Sequence, residues 1–76
     1  MSYGLIIKRH NADPTYKNGI GTWKEVLDII RSGLDQWTVG VHIYKYSSND
    51  RLLGKKYVTM GNLWVVANSD TDKILI

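Results

Sequence analysis

The sequence predicts an α+β fold: a single helix packed on a curled, mainly antiparallel sheet, in the order β-α-β-β-β-β. Three observations carry this expectation. One stretch, from Trp23 to Leu34, repeats its apolar residues at helical spacing. Other stretches alternate, or run apolar, over strand lengths between turn-forming residues. The registers implied by those turns, each worked out separately, send one apolar set to a common face.

Tyr3 to Arg9 reads as the first strand, with Leu5, Ile6 and Ile7 in a continuous apolar run. The segment that follows, HNADPTYKNGIG, is broken by Pro14, Asn18-Gly19 and Gly21 and reads as a long irregular connection. The helix begins after Thr22, a candidate N-cap that forms a capping box with Glu25. Trp23, Val26, Leu27, Ile30 and Leu34 share one helical face, and Lys24, Asp28 and Arg31 lie opposite. Gly33 is placed to take a left-handed C′ conformation, with Leu34 packing back on Ile29. The helix is therefore expected over 23–32.

Turn signals at Ser47–Asp50, Gly61-Asn62 and Ser69–Asp72 divide the remainder into strands near 36–46, 51–60, 63–68 and 73–76. A two-residue hairpin loop at Gly61-Asn62 sets Val58 opposite Val65. Four-residue loops at the other two turns set Val41 opposite Lys56 and Val65 opposite Ile76. One face then collects Trp37, Val39, Val41, Ile43, Val58, Met60, Leu63, Val65, Ala67, Ile74 and Ile76 for the helix to cover. Lys56 falls among them and is expected at a margin, where its ammonium reaches water.

The opposite face is the unusual one. His42 falls across from Lys55, Tyr44 from Leu53 and Tyr46 from Arg51, with Tyr57, Trp64, Val66 and Leu75 on the same side. Aromatics stabilise sheets even when half exposed, so a structural role is one reading. A contiguous apolar patch rimmed by charge also suits a partner, because Tyr, Trp and Arg are enriched at interaction hot spots. A third reading is a platform on which single-stranded nucleic acid stacks while Lys and Arg follow the phosphates.

Composition narrows the classes. Seventy-six residues make one domain, 1–76. A chain of this size buries only about 60% of its unfolded surface, which leaves little room for a deep catalytic cleft. With no cysteine, disulfides, thiolate metal sites and cysteine nucleophiles are excluded, which fits a cytoplasmic protein. MSYGLIIKRH lacks the apolar core of a secretory signal, and no apolar run reaches membrane-spanning length. The net charge of +3 is a mild bias toward anionic partners, well short of a dedicated DNA binder.

No motif specifies catalysis. GIGTWKE opens onto a helix N-terminus, but Lys24 stands where a dinucleotide fingerprint needs its third glycine. NSDTDK spaces Asn68, Asp70 and Asp72 like the start of a calcium loop, yet Lys73 occupies the turn-glycine position and no closing glutamate follows. His10 and His42, the only histidines, lack metal-ligand spacing. Most of the acids fall in turns and loops, where they suit capping. No catalytic residue, metal or cofactor is therefore expected.

The expected function is that of a small non-enzymatic binding protein, a modulator or inhibitor of a larger protein partner. Phage and other mobile elements encode many proteins of this kind. Tyr44, Tyr46, Tyr57 and Trp64 are the expected anchors, with His42, Arg51 and Lys55 as the charged rim. The alternative is a single-stranded nucleic-acid-binding module using the same residues. The terminal KILI reads as an edge strand that offers a route to a homodimer.

Overall fold

In a computed structural model that describes residues 1–75, β1 (Ser2–Arg9) runs through the interior of a four-stranded antiparallel sheet. The other strands are β2 (Ala12–Ile20), β3 (Thr38–Tyr46) and β4 (Leu52–Thr59), in the spatial order β2-β1-β3-β4. Between β2 and β3 lies the helix α1 (Trp23–Ser32), and after β4 a shorter helix, α2 (Leu63–Ala67). The α+β class holds, with the sheet unclosed and the helices covering one face. The first strand pairs with both β2 and β3.

One core joins the sheet to the helices. Tyr3, Leu5 and Ile7 on β1, Val41 and Ile43 on β3 and Val58 on β4 share the inner face. Against them pack Trp23, Val26, Leu27 and Ile30 of α1, Leu63 and Val66 of α2, and Leu75. The helix starts as its sequence implies, because the Thr22 hydroxyl accepts a hydrogen bond from the Glu25 amide at 3.2 Å. Its end differs. Gly33 donates to the Ile29 carbonyl at 2.7 Å with φ of −105°, so no left-handed residue is used there.

Three segments depart from the sequence reading. Residues 12–20, expected as a loop, form β2, joined to β1 by a tight turn in which Asn11 takes a φ of +56°. An Asn tolerates that left-handed conformation because its short side chain can bond locally. Residues 63–67, expected as a strand, are helical. Leu63 and Val66, three apart, face the core, so Val66 is fully buried while Trp64 and Val65 are exposed. Residues 72–74 form one 3₁₀ turn, and Leu75 is buried, so no C-terminal edge strand exists among the described residues to make a dimer. Ile76 lies outside the described residues.

Within the β3–β4 hairpin the expected faces survive a change of register. Val41 lies opposite Val58, and Ile43 opposite Lys56, a shift of two residues. One residue enters because the Ser47 amide bonds the Arg51 carbonyl at 2.8 Å, which makes the loop one residue longer. The second is Leu53, a bulge between the pairs Lys45–Gly54 and Tyr46–Leu52. A slip of one would have reversed every side chain beyond it; two restore the parity. Trp37, Val39 and Met60, expected in the core, are instead exposed at its ends.

The C-terminal segment is clamped to the inner face by polar contacts. Tyr3 donates to Asp72 Oδ2 at 2.6 Å, and Lys45 Nζ lies 2.7 Å from the same oxygen. The Trp23 indole donates to the Ser69 carbonyl at 2.8 Å, and the Arg31 guanidinium donates to the Ala67 carbonyl. Burial, and then the Asp72 carboxylate, push the Tyr3 hydroxyl up to about 12. The Lys45 ammonium, and next the Tyr3 hydroxyl, hold the Asp72 carboxyl below its ordinary range.

Candidate interaction face

The face of the sheet that no helix covers is built by alternation. On β3 the inward residues are Val41 and Ile43, so Gly40, His42, Tyr44 and Tyr46 point outward. Their partners are Lys8, Ile6, Gly4 and Ser2 on β1, and Thr59, Tyr57, Lys55 and Leu52 on β4. Tyr16 of β2 joins the same face through its pairing with Ile6. The result is a band of rings across the sheet.

The rings have defined geometry. His42 and Tyr44 are 6.2 Å apart between centroids and inclined by 16°, and Tyr44 and Tyr46 follow at 6.3 Å and 23°. Successive outward residues of one strand thus hold three near-parallel rings in a row. Tyr57 meets His42 from β4 at 4.4 Å. The Lys8 ammonium stands 5.8 Å from the Tyr57 centroid, within cation–π range.

Two glycines explain why such large side chains lie against the sheet. A Cβ on Gly40 would meet the Tyr57 ring at 2.6 Å from Cζ and 2.8 Å from Cε1, so the ring occupies the space a side chain would need. At Gly4 a Cβ would stand 3.5 Å from Tyr46 Cε2 and 2.9 Å from Asn18 Oδ1. Rings resting on strand glycines cover backbone that would otherwise be open to water. They also lose rotamer freedom on folding rather than on meeting a partner.

The paired positions of this face carry charge of one sign: Lys8 and Lys55 are among them, and no Asp or Glu is. The Asp50 carboxylate belongs to the β3–β4 turn, beside a depression lined by Ser2, Asn18 and Tyr46 at one end of the sheet. A second shallow depression is lined by His42, Tyr44, Lys55, Lys56 and Tyr57.

The structure therefore gathers His42, Tyr44, Tyr46, Tyr57 and Lys55 on one surface. Trp64 is elsewhere, 64% exposed on α2 in the helical layer, because residues 63–67 are not a strand. Arg51 belongs to the hairpin loop, where its amide bonds Ser47 Oγ at 3.1 Å, and Leu52 takes the place opposite Tyr46. Val66 and Leu75, also expected on this face, are core residues. Lys8, Ile6 and Tyr16 were missed. Their membership depends on which strands flank β1, and the alternation of β3 and β4 carries no trace of that.

Among the described residues no three histidine, aspartate or glutamate side chains come together as a metal site, and no helix is long and apolar enough to cross a membrane. No protein-family model matches this chain, and it matches no curated protein and no solved structure.

Proposed function

We propose that this chain is a small non-enzymatic cytoplasmic protein that modulates a larger protein by binding it through the open sheet face. The observation that carries the reading is the preset band of His42, Tyr44, Tyr46 and Tyr57, bedded on Gly4 and Gly40, with Lys8 and Lys55 and no carboxylate at the paired positions. Tyrosine combines a large rigid contact area with a hydroxyl and only two rotatable bonds, which makes it effective at interfaces. Lys8 and Lys55 at the margins would favour an acidic patch on the partner and speed encounter.

The test is capture of a partner by wild type and by Tyr44→Ala, Tyr57→Ala and the helix-face variant Lys24→Glu. Loss in both tyrosine variants, with circular dichroism unchanged and Lys24→Glu unaffected, supports the reading. Capture that survives both tyrosine substitutions refutes it.

A second reading, a single-stranded nucleic-acid platform, is favoured by the near-parallel row of His42, Tyr44 and Tyr46. No tryptophan occupies a paired position on this face, so the suitable readout is anisotropy of a labelled oligonucleotide. Two phosphate contacts, from Lys8 and Lys55, would give a log–log salt slope of only about −1.4. A steep slope, or no binding at low salt, would exclude this face as the platform.

A further inference from the structure

The two free edges of the sheet differ in how they are protected. Along β2, Pro14 removes a backbone donor, Gly19 takes a φ of +71°, and the pairing with β1 shifts register twice. Proline, bulges and charged side chains are devices that keep an edge from accepting another strand indiscriminately. β4 has no proline and one bulge, at Leu53 near its start, and from Gly54 to Thr59 its pairing with β3 is regular. Among the described residues, no backbone hydrogen bond joins Leu52–Thr59 to any segment beyond β3. Beside this edge runs a groove between β4 and α2, with Lys56, Val58, Asn62 and Val65 in its walls.

Charge says what fits there. From Arg51 to Met60 the chain has three cationic residues, Arg51, Lys55 and Lys56, and no acidic one. Lys55 projects to the open face and Lys56 to the helical side, because their partners Tyr44 and Ile43 do. A strand laid along β4 would therefore meet an ammonium on either side of the sheet. A second copy of this chain fits poorly. Directly opposed residues of an antiparallel ladder share a face, so self-pairing near the centre of Leu52–Thr59 sets Lys55 opposite Lys55 of the other copy, or Lys56 opposite Lys56. Like charges directly opposed across strands are destabilising.

We propose that β4 is a strand-accepting edge that binds an extended acidic peptide segment as a fifth strand. Main-chain hydrogen bonds to the free edge hold the segment, as in other strand-addition complexes. Its carboxylates on the open side face Lys55, its apolar side chains on the helical side enter the groove beside Val58 and Val65, and its net negative charge also suits the nearby Lys56. This surface shares Lys55 with the ring-bearing face, but its main-chain edge, Lys56 and the groove do not depend on that face's function.

The test uses blocked eight-residue peptides of alternating valine and glutamate, or of valine and lysine, and amide hydrogen exchange read residue by residue. The glutamate peptide is expected to slow exchange in Leu52–Thr59 saturably, and the lysine peptide to leave it unchanged. N-methylation of alternate peptide bonds in the glutamate peptide should abolish the protection, which binding through side chains alone would not. Lys55→Glu combined with Lys56→Glu should weaken the glutamate peptide by about tenfold or more, while Lys24→Glu on α1 does not. Should the double variant fail to fold, the two peptides and the N-methylated one decide on wild type alone. Protection of β2 instead, equal binding of both peptides, or β4 protection that grows with protein concentration in the absence of peptide would each overturn the proposal.

Discussion

Replacing Gly54 by alanine tests how the C-terminal segment closes the core. The position of a Cβ on Gly54 is already taken by the carbonyl oxygen of Leu75, with the carbonyl carbon 2.9 Å away and Leu75 Cβ at 3.4 Å. Carbon atoms prefer separations of about 3.5–4.0 Å, so the Leu75 backbone must retreat by the order of 1 Å. Leu75 is 3% exposed, and full loss of its burial costs roughly 1.5–3 kcal/mol. The same movement strains the Asp72 contacts to Tyr3 and Lys45, three residues earlier in the chain. Against this, alanine reduces the freedom of the unfolded chain, worth roughly 0.4–1 kcal/mol.

The net destabilisation should be about 2 kcal/mol. A domain of this size has a total stability of only about 4–11 kcal/mol, so the change is large. With a urea slope near 1 kcal/mol per molar, the midpoint should fall by roughly 2 M. Gly61→Ala is the matched control, since no heavy atom lies within 4 Å of its Cβ position. Urea unfolding followed by circular dichroism measures both, and exchange of the Trp23 indole proton reports whether its bond to the Ser69 carbonyl loosens. A Gly54→Ala midpoint equal to that of Gly61→Ala would refute the view that Leu75 is seated against β4.

The polar clamp gives the fold two pH limbs. Tyr3, raised from 10.0 to about 12, favours folding below its unfolded pKa and loses that contribution as pH climbs from 10 to 12, roughly 3 kcal/mol in all. Tyr3→Phe should therefore flatten the alkaline arm of the stability–pH curve, and an unchanged arm would contradict it. Asp72, lowered chiefly by Lys45, contributes above the ordinary carboxylate range and loses this as pH falls below about 4. Asp72→Asn should remove that acid-side slope in urea titrations between pH 5 and about 2. Val66→Ala should cost roughly 2 kcal/mol, because Val66 is fully buried, whereas Trp64→Ala should cost little. The reverse order in thermal unfolding would restore residues 63–67 to a strand.

What the sequence discloses and what it hides follow one physical rule: a period is legible only where one face is wet and the other dry. α1 meets that condition and carries a cap as well, so its limits were readable. β3 meets it too; β4, in which only Val58 is buried, is placed by the turn that joins it to β3, and their parity survives even though the turn and the Leu53 bulge change every partner. β2 does not. It lies at an edge, only Ile20 within it is buried, and nothing in ADPTYKNGI alternates. In LWVVA, β-branched residues speak for a strand, but burial of Leu63 and Val66 against α1 and the sheet decides for a helix. The misplacement of Trp64 is a consequence of that one element. The tyrosines were found because β3 keeps its period, and Lys8 and Tyr16 were not, because neither strand order nor β2 could be read.

The rings on the outward side of β3, His42, Tyr44 and Tyr46, have a structural reason and leave one feature beyond it. A chain this short has helices enough to cover one face of its sheet, and the other must protect itself. Tyr57 over Gly40 and Tyr46 over Gly4 do this by shielding backbone from water, which is a gain in stability that needs no partner. Stability alone does not require that the same face omit carboxylates. A surface shaped only for solubility mixes both signs of charge. Here the seven acidic residues of the chain lie off every paired position of the ring-bearing face, while Lys8 and Lys55 hold two of them. Ring packing explains the size of the side chains, and the electronegative partner proposed above would account for the choice of charge around them.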